Sequence, residues 1–360
     1  MNKKIFFICV LSLIILTFCT KSVIAILEQN NYLLGVNNSS SSVKWNNLKL
    51  RGTMVSTYIT KDDLKILGKD GNANVIRWPL GSNYNRDVKY SGLFTDNYEQ
   101  AMEEELKRLD AMLPYCKEYG LYVVLDFHDL SKRVTESQWA ADRFIKTWKF
   151  IAEKYKDDKA IIAYDIANEP EGEASAWNTI AENTAKAIRA IDPDKTIIIE
   201  PVNLGTIEGL GKLKPVDVSG VVYSIHMYLP YEFTHQGIDL PVNMPYPGNY
   251  YGYYWNKDLL RLVFKPVLDF QKKYGVEIYI GEFSAVRYAP GNSAYLYLKD
   301  VIELFEEYSW NWTYHAFRQA DIWSLELGND YYNKTPVAGG TDRLNLIRSY
   351  FLKNIKPSFN

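Results

Sequence analysis

The sequence predicts an α/β protein of a single domain, a (β/α)8 TIM barrel. Three observations predict it. Eight apolar, strand-like runs recur between residues 48 and 317, amphipathic helical patterns fall between most of them, and no glycine-rich phosphate turn punctuates the series. Near-continuous apolar strands joined by helices require a parallel sheet whose outer face is covered. A barrel of eight such units commonly takes about 250 residues or more, which a chain of 360 supplies. The rival is a doubly wound open sheet, but its nearest phosphate-loop candidate, "GTIEGLGKL", has neither the dinucleotide nor the P-loop spacing.

At the start of the chain, Lys3 and Lys4 precede the apolar run "IFFICVLSLIILTF", which is short for a membrane span and is followed by "KSVIA". Residues 1–25 are therefore expected to be a secretory signal cut after Ala25, and the mature protein to be secreted with no membrane association. A lipid anchor through Cys19 is disfavoured by the bulky Phe18 before it. Cleavage takes the formal net charge from −2 to −5 and leaves Cys116 as the one cysteine, so neither a disulfide framework nor a thiolate metal cluster can form within one chain. Residues 26–360 are then the barrel domain, opening with a Ser/Asn-rich leader that contains "NNSSSSV". A monomer is expected. The acidic balance, with no basic and aromatic-interleaved stretch, argues against nucleic acid.

The strand candidates follow in order: "LKLRGTMVS", "ANVIRWPL", "LYVVLDFHD", "AIIAYDIANEP", "TIIIEP", "VVYSIHMY", "VEIYIGEFSA" and "WNWTYHAF". Helical spacing is plain in residues 96–120, where Met102, Leu106, Leu109, Leu113 and Cys116 share a face, with Asp96 as a cap and Gly120 as a stop. It recurs in 137–155, 175–191, 292–308 and 342–354. Pro266 means that the pattern of 256–275 is kinked or restarts near the proline. Residues 206–220 read as loop, and the Tyr/Pro/Gly-rich 235–255 as a long insertion.

A barrel of this kind carries its chemistry where strands end. The strand ends here are polar: Arg77 and Trp78, His128 and Asp129, Asn168 and Glu169, Glu200, His226 and Tyr228, and Glu282. Any one of them could be a turn residue or a surface partner, but gathering them at one rim costs free energy unless they pair. Asp165 and Glu277 lie deeper or at a strand start and are given no part in the site. His235 falls in the insertion, and no histidine pair has metal-ligand spacing, so no metal is expected. No nucleophilic Ser or Cys motif and no cofactor loop occurs, and no cofactor is expected. Two carboxylic acids facing across a cleft fit glycoside hydrolysis, in which one protonates the departing sugar oxygen and the other stabilises or bonds the anomeric carbon. Arg77 beside Glu282 would favour its charged form, while Glu169, facing that anion, would be pushed towards staying protonated.

In "NVIRWPL", "VVLDFHD", "YDIANEP", "SIHMY" and "YIGEFSA" the chain resembles the glycoside hydrolases of family 5, over nearly all of residues 26–360. The resemblance implies a retaining endo-β-glycanase acting on a polysaccharide or oligosaccharide, with Glu169 as acid/base and Glu282 as nucleophile. It further implies that Asn168 binds the sugar 2-hydroxyl, that Arg77 and Tyr228 hold Glu282, and that His128 and His226 line the sugar site. β-1,4-Glucan is the first expected substrate, with mannan, mixed-linkage glucan and xyloglucan as alternatives. A transglycosylase and an inactive glycan-binding barrel also remain open. The family's eighth strand often carries a tryptophan in a "WTYW"-like run, whereas this chain reads "WTYH" with His315; Trp323 is then a candidate for the stacking floor. Trp78, Trp139 and the tyrosines of "YPGNYYGYYW" are further stacking candidates. Replacing Arg77 with alanine is expected to lower turnover and to leave the fold intact.

Overall fold

The computed structural model describes residues 45–81, 98–128, 133–238 and 243–359. The expected signal, the Ser/Asn-rich leader, Asp96 and Asp129 lie outside the described residues. Eight strands close into a barrel: β1 (Arg51–Val55), β2 (Val75–Leu80), β3 (Tyr122–Phe127), β4 (Ile161–Asp165), β5 (Thr196–Ile199), β6 (Val221–Met227), β7 (Glu277–Phe283) and β8 (Asn311–Phe317). Every neighbouring pair is parallel, and β8 closes the ring onto β1. All eight strand candidates of the sequence are present.

Helices cover the outside because their apolar faces match the outward residues of the strands. Tyr98–Glu118 buries Met102, Leu106, Leu109, Leu113 and Cys116, and Gly120 stops it at φ +65°. Burial pushes the Cys116 thiol up to about 12, so it is packing rather than chemistry. Gln138–Tyr155 starts where the Ser137 side chain accepts from Ala140 N, and Asp342–Phe351 where Thr341 accepts from Leu344 N. At Pro266 the helix breaks after Lys257–Val263 and restarts as Lys265–Tyr274, with the proline in its first turn where its missing N–H is harmless.

Two regions read as loop contain structure. Residues 206–220 include a helical turn, Ile207–Leu210, capped by Thr206. The turn Tyr231–Thr234 precedes the insertion of 235–255, which holds a hairpin of Gly248–Tyr250 with Tyr253–Trp255. Among the described residues, no helix is long and apolar enough to cross a membrane.

Candidate active site

The inward face of the barrel changes character two residues along its strands. Val75, Val124, Ala163, Ile198 and Val222 form an apolar layer with Tyr279, against which Trp45 packs edge-on at 5.4 Å. Side chains alternate with period two, so the next inward layer is Arg77, Asp126, Asp165, Glu200 and Ser224, all buried.

Arg77 stands at the centre of that layer. Its guanidinium lies 3.0 Å from Asp126, 2.9 Å from Asp165, 3.0 Å from Glu200 and 2.7 Å from Glu282, and it donates to Asn168 Oδ1 at 3.1 Å. Burial pushes the proton affinity of Asp165 well above the usual carboxylate range; Arg77 opposes the shift, and Glu200 and Asp126 reinforce it. Asp165, given no part from sequence, is thus a member of the cluster beneath the site. The expectation that Arg77 could be removed without harm to the fold is corrected. Removing it would leave buried acids without their cation.

Glu282 reaches the interior by a break in alternation. Counting from inward Tyr279, strict alternation would turn Glu282 outward beside Ile280. Instead Ile225 pairs with Ile280 while His226 pairs with Glu282, so Gly281 is the extra residue of a bulge. A Cβ at Gly281 would stand 2.7 Å from Ser224 Oγ and 3.0 Å from His226 Nε2, which is why glycine is needed there. Arg77 donates to Glu282 Oε1 and Tyr228 to Oε2, at 2.7 and 2.8 Å. Burial raises the proton affinity of Glu282, but His226, Arg77 and His128 outweigh it and hold the carboxyl well below the usual range. The expected anion beside Arg77 is what the geometry supports.

Glu169 arrives differently. It follows β4 at φ +48°, a left-handed conformation uncommon for any residue but glycine, and its N–H donates to Glu200 Oε2 at 2.8 Å. The turn brings consecutive Asn168 and Glu169 to one cavity wall. One oxygen each of Glu169 and Glu282, together with a ring nitrogen of His226, lie within 4.8 Å of one another. The Glu169 side chain is the more open, 23% exposed against 5% for Glu282.

His226 bridges the acids, with Nδ1 3.0 Å from Glu169 Oε1 and Nε2 2.9 Å from Glu200 Oε1. Burial works against its charge, yet Glu200 and Glu282 hold its pKa well above that of an ordinary histidine. Glu169, His226 and Glu282 are the group among the described residues placed to surround a metal ion. With both ring nitrogens facing carboxylates, however, His226 is a donor and offers no lone pair. His128 Nδ1 lies 2.7 Å from Asp126 Oδ2; burial disfavours its charge, but Asp126 raises its pKa overall.

The cavity above these groups measures about 420 Å³. Seven of the eight predicted site residues line it: Glu169, Glu282, Asn168, His128, His226, Tyr228 and Trp323. The eighth, Arg77, stands behind the wall with no exposed surface. Trp323 sits on the turn Asp321–Trp323 after β8, its ring 5.0 Å from His235 and 6.2 Å from Tyr228. Trp78 is corrected as a stacking candidate, because it points outward from β2 into the core. Trp139 and the hairpin tyrosines Tyr251, Tyr253 and Tyr254 are exposed, and none of the four lines the cavity. Sequence reasoning missed His235, which lines the cavity and stacks on Tyr231 at 4.0 Å. It also missed Asp126, which inward alternation from Val124 signalled, while Glu200, named among the polar strand ends, supports the site from beneath rather than lining the cavity.

The chain matches the family described as Cellulase (glycosyl hydrolase family 5) over residues 36–321. It is 29% identical to Endoglucanase C of Acetivibrio thermocellus over 297 residues, covering 71% of this chain and 84% of that protein. It is 23% identical to Cellodextrinase A of Ruminococcus flavefaciens, covering 71% and 77%. Among solved structures, Thermotoga maritima Cel5A in complex with cellobiose superposes with a TM-score of 0.67 at 26% identity, over 84% of this chain and 98% of that one. The cellulose synthase subunit Z of Clostridioides difficile does so with 0.66 at 26% identity, over 83% and 99%. A closed barrel with paired glutamates behind β4 and on β7, and a family match over most of the chain, lead to one assignment: the chain belongs to the cellulase family, glycosyl hydrolase family 5, and is a glycoside hydrolase.

Proposed function

We propose that this protein is an endo-acting β-1,4-glucanase that cleaves with retention through Glu169 and Glu282. One observation carries the mechanism: oxygens of the two carboxyls lie within 4.8 Å of each other. Retaining enzymes hold their carboxyls about 5 to 5.5 Å apart, whereas inverting ones leave roughly 6.5 to 9.5 Å for a water. Glu282, anionic and oriented by Arg77 and Tyr228, attacks the anomeric carbon as Glu169 gives its proton to the glycosidic oxygen, and the C–O bond to the leaving sugar breaks. Glu169, now a carboxylate, takes a proton from a water that attacks the same carbon, and Glu282 is released. Asn168, held by Arg77, and His128, held by Asp126, supply fixed polar groups to the sugar, and Trp323 an aromatic wall.

The names of the relatives support glucan as substrate: Endoglucanase C, and Cel5A with cellobiose. Mannan is the second reading, because Cel5A is also known in complex with mannotriose. Export belongs to the same proposal, supported by Lys3, Lys4 and the apolar run before Ala25, as does action as a monomer. Reducing-end release by the mature chain across β-1,4-glucan, mixed-linkage glucan, xyloglucan, mannan and xylan tests the substrate. A rapid fall in viscosity of soluble β-1,4-glucan is expected. Cleavage of mannan alone would replace the substrate, and cleavage of none would favour a glycan-binding barrel. N-terminal sequencing of the exported protein and its size in solution check the other two points.

A further inference from the structure

The strand-eight position at which related barrels often carry tryptophan is His315, and its ring is tied to the nucleophile through an intermediary. His315 Nδ1 lies 2.9 Å from the Tyr228 hydroxyl, and that hydroxyl lies 2.8 Å from Glu282 Oε2. The direct distance from His315 Nδ1 to Glu282 Oε2 is 3.9 Å, beyond hydrogen-bond range. Tyr228 has one hydroxyl proton for two short contacts. Given to His315, it would leave Glu282 Oε2 facing a phenol oxygen lone pair in a buried site, an unfavourable contact. Given to Glu282, it leaves a 2.9 Å contact that is favourable only when Nδ1 is itself the donor. The second arrangement alone satisfies both distances.

We infer that His315 is a positioning residue: its Nδ1–H donates to the Tyr228 oxygen and so holds the Tyr228 proton on Glu282 Oε2. The groups around the ring are Glu282 and Glu169 on one side of the balance and His128 and His226 on the other. Burial, with the two histidines reinforcing it, lowers the proton affinity of His315, so the ring carries one proton and Nε2 is left as an acceptor. The chemistry differs from an aromatic floor in kind, because the side chain orders a hydrogen bond instead of offering a face. Trp323, 5.9 Å from His315, retains the apolar wall.

This inference rests on Glu282 being the nucleophile, and the test separates the two. Long-range proton–nitrogen NMR of the full chain labelled at histidine nitrogen reads the tautomer without any substrate. The His315 resonances, assigned by their loss in His315→Asn, are expected to show a proton on Nδ1 and none on Nε2. An Nε2–H tautomer overturns the inference whatever the activity. With an aryl β-cellobioside, His315→Phe is expected to lower kcat about tenfold with little change in KM, the loss of one orienting hydrogen bond. His315→Asn, whose short amide can donate from near the Nδ1 position, is expected to recover most of that loss. Equal loss in both variants, or none in His315→Phe, overturns it. Failure of the wild type on every β-glycoside would instead remove the proposed function and leave the tautomer to decide the role of His315.

Discussion

Glu200 Oε2 accepts the backbone N–H of Glu169 at 2.8 Å, so the acid that follows β5 fixes the backbone of the acid that follows β4. Its other oxygen lies 3.0 Å from Arg77 and 2.9 Å from His226. One fully buried carboxylate thereby joins three site residues without reaching the cavity wall. Glu200→Ala should lower kcat about a hundredfold by letting Glu169 shift from its strained turn, since displacements of this order carry such losses. Glu200→Gln, which keeps an acceptor, should fall between. Steady-state kinetics on soluble glucan, with circular dichroism to verify folding, decides; wild-type kcat in Glu200→Ala would refute the positioning role.

Arg77→Ala should be costly to the fold as well as to turnover. With Asp126, Asp165, Glu200 and Glu282 around it, loss of the cation leaves buried acids uncompensated, at about 3–5 kcal/mol. Equilibrium denaturation measures this, and an unchanged midpoint would mean that the acids rearrange or take up protons without penalty.

The two glutamates should separate in chemical rescue. In Glu282→Gly, azide with an α-glycosyl fluoride should give the inverted β-azide. In Glu169→Gly, azide should intercept the intermediate formed from an aryl β-glycoside and give a β-azide with net retention. Glycine fits the φ of +48° at position 169, so this variant should fold. Proton NMR of the first sugar released by the wild type supplies an independent check: an initial α-anomer from a β-linked glycan would require withdrawing Glu282 as nucleophile.

The ion pair of His128 with Asp126 gives stability a pH signature. The folded-state pKa of His128 is raised above its ordinary 6.5. Its contribution is therefore full below about pH 6.5 and is lost as pH rises through the higher folded value. The melting-temperature advantage of wild type over His128→Asn should be largest at mildly acidic pH and shrink on the alkaline side. An advantage that grows with pH would contradict the pairing. Glu282 contributes in the opposite sense, with stability present above its ordinary 4.5 and lost as pH falls towards its depressed folded value.

Trp323→Ala should raise KM for cello-oligosaccharides about fivefold or more, as expected for removal of an aromatic contact surface. Its ring contacts to Tyr228, His235 and His315 also predict a smaller fall in kcat. Unchanged KM would return Trp323 to loop packing.

The barrel and most of its mouth are legible in the order of residues, because both rest on short-range patterns. Apolar runs and helical periods set the elements, as Met102 to Cys116 illustrate. A parallel barrel carries its strand ends to one face, so "YDIANEP" and "YIGEFSA" already implied that Glu169 and Glu282 share a cleft. Tertiary structure alone decided how they are held. Strict alternation would have put Glu282 outside; the bulge at Gly281, formed by register against β6, turns it in. Asp126, Asp165 and Glu200 are far apart in the chain and acquire meaning only when closure brings them around Arg77. His235, far along the chain from either glutamate, joins the site only through the fold, which brings it to the cavity wall. Period and propensity are properties of neighbouring residues, whereas a buried charge cluster depends on partners that many different sequence separations can bring together, and only the closed barrel selects among them.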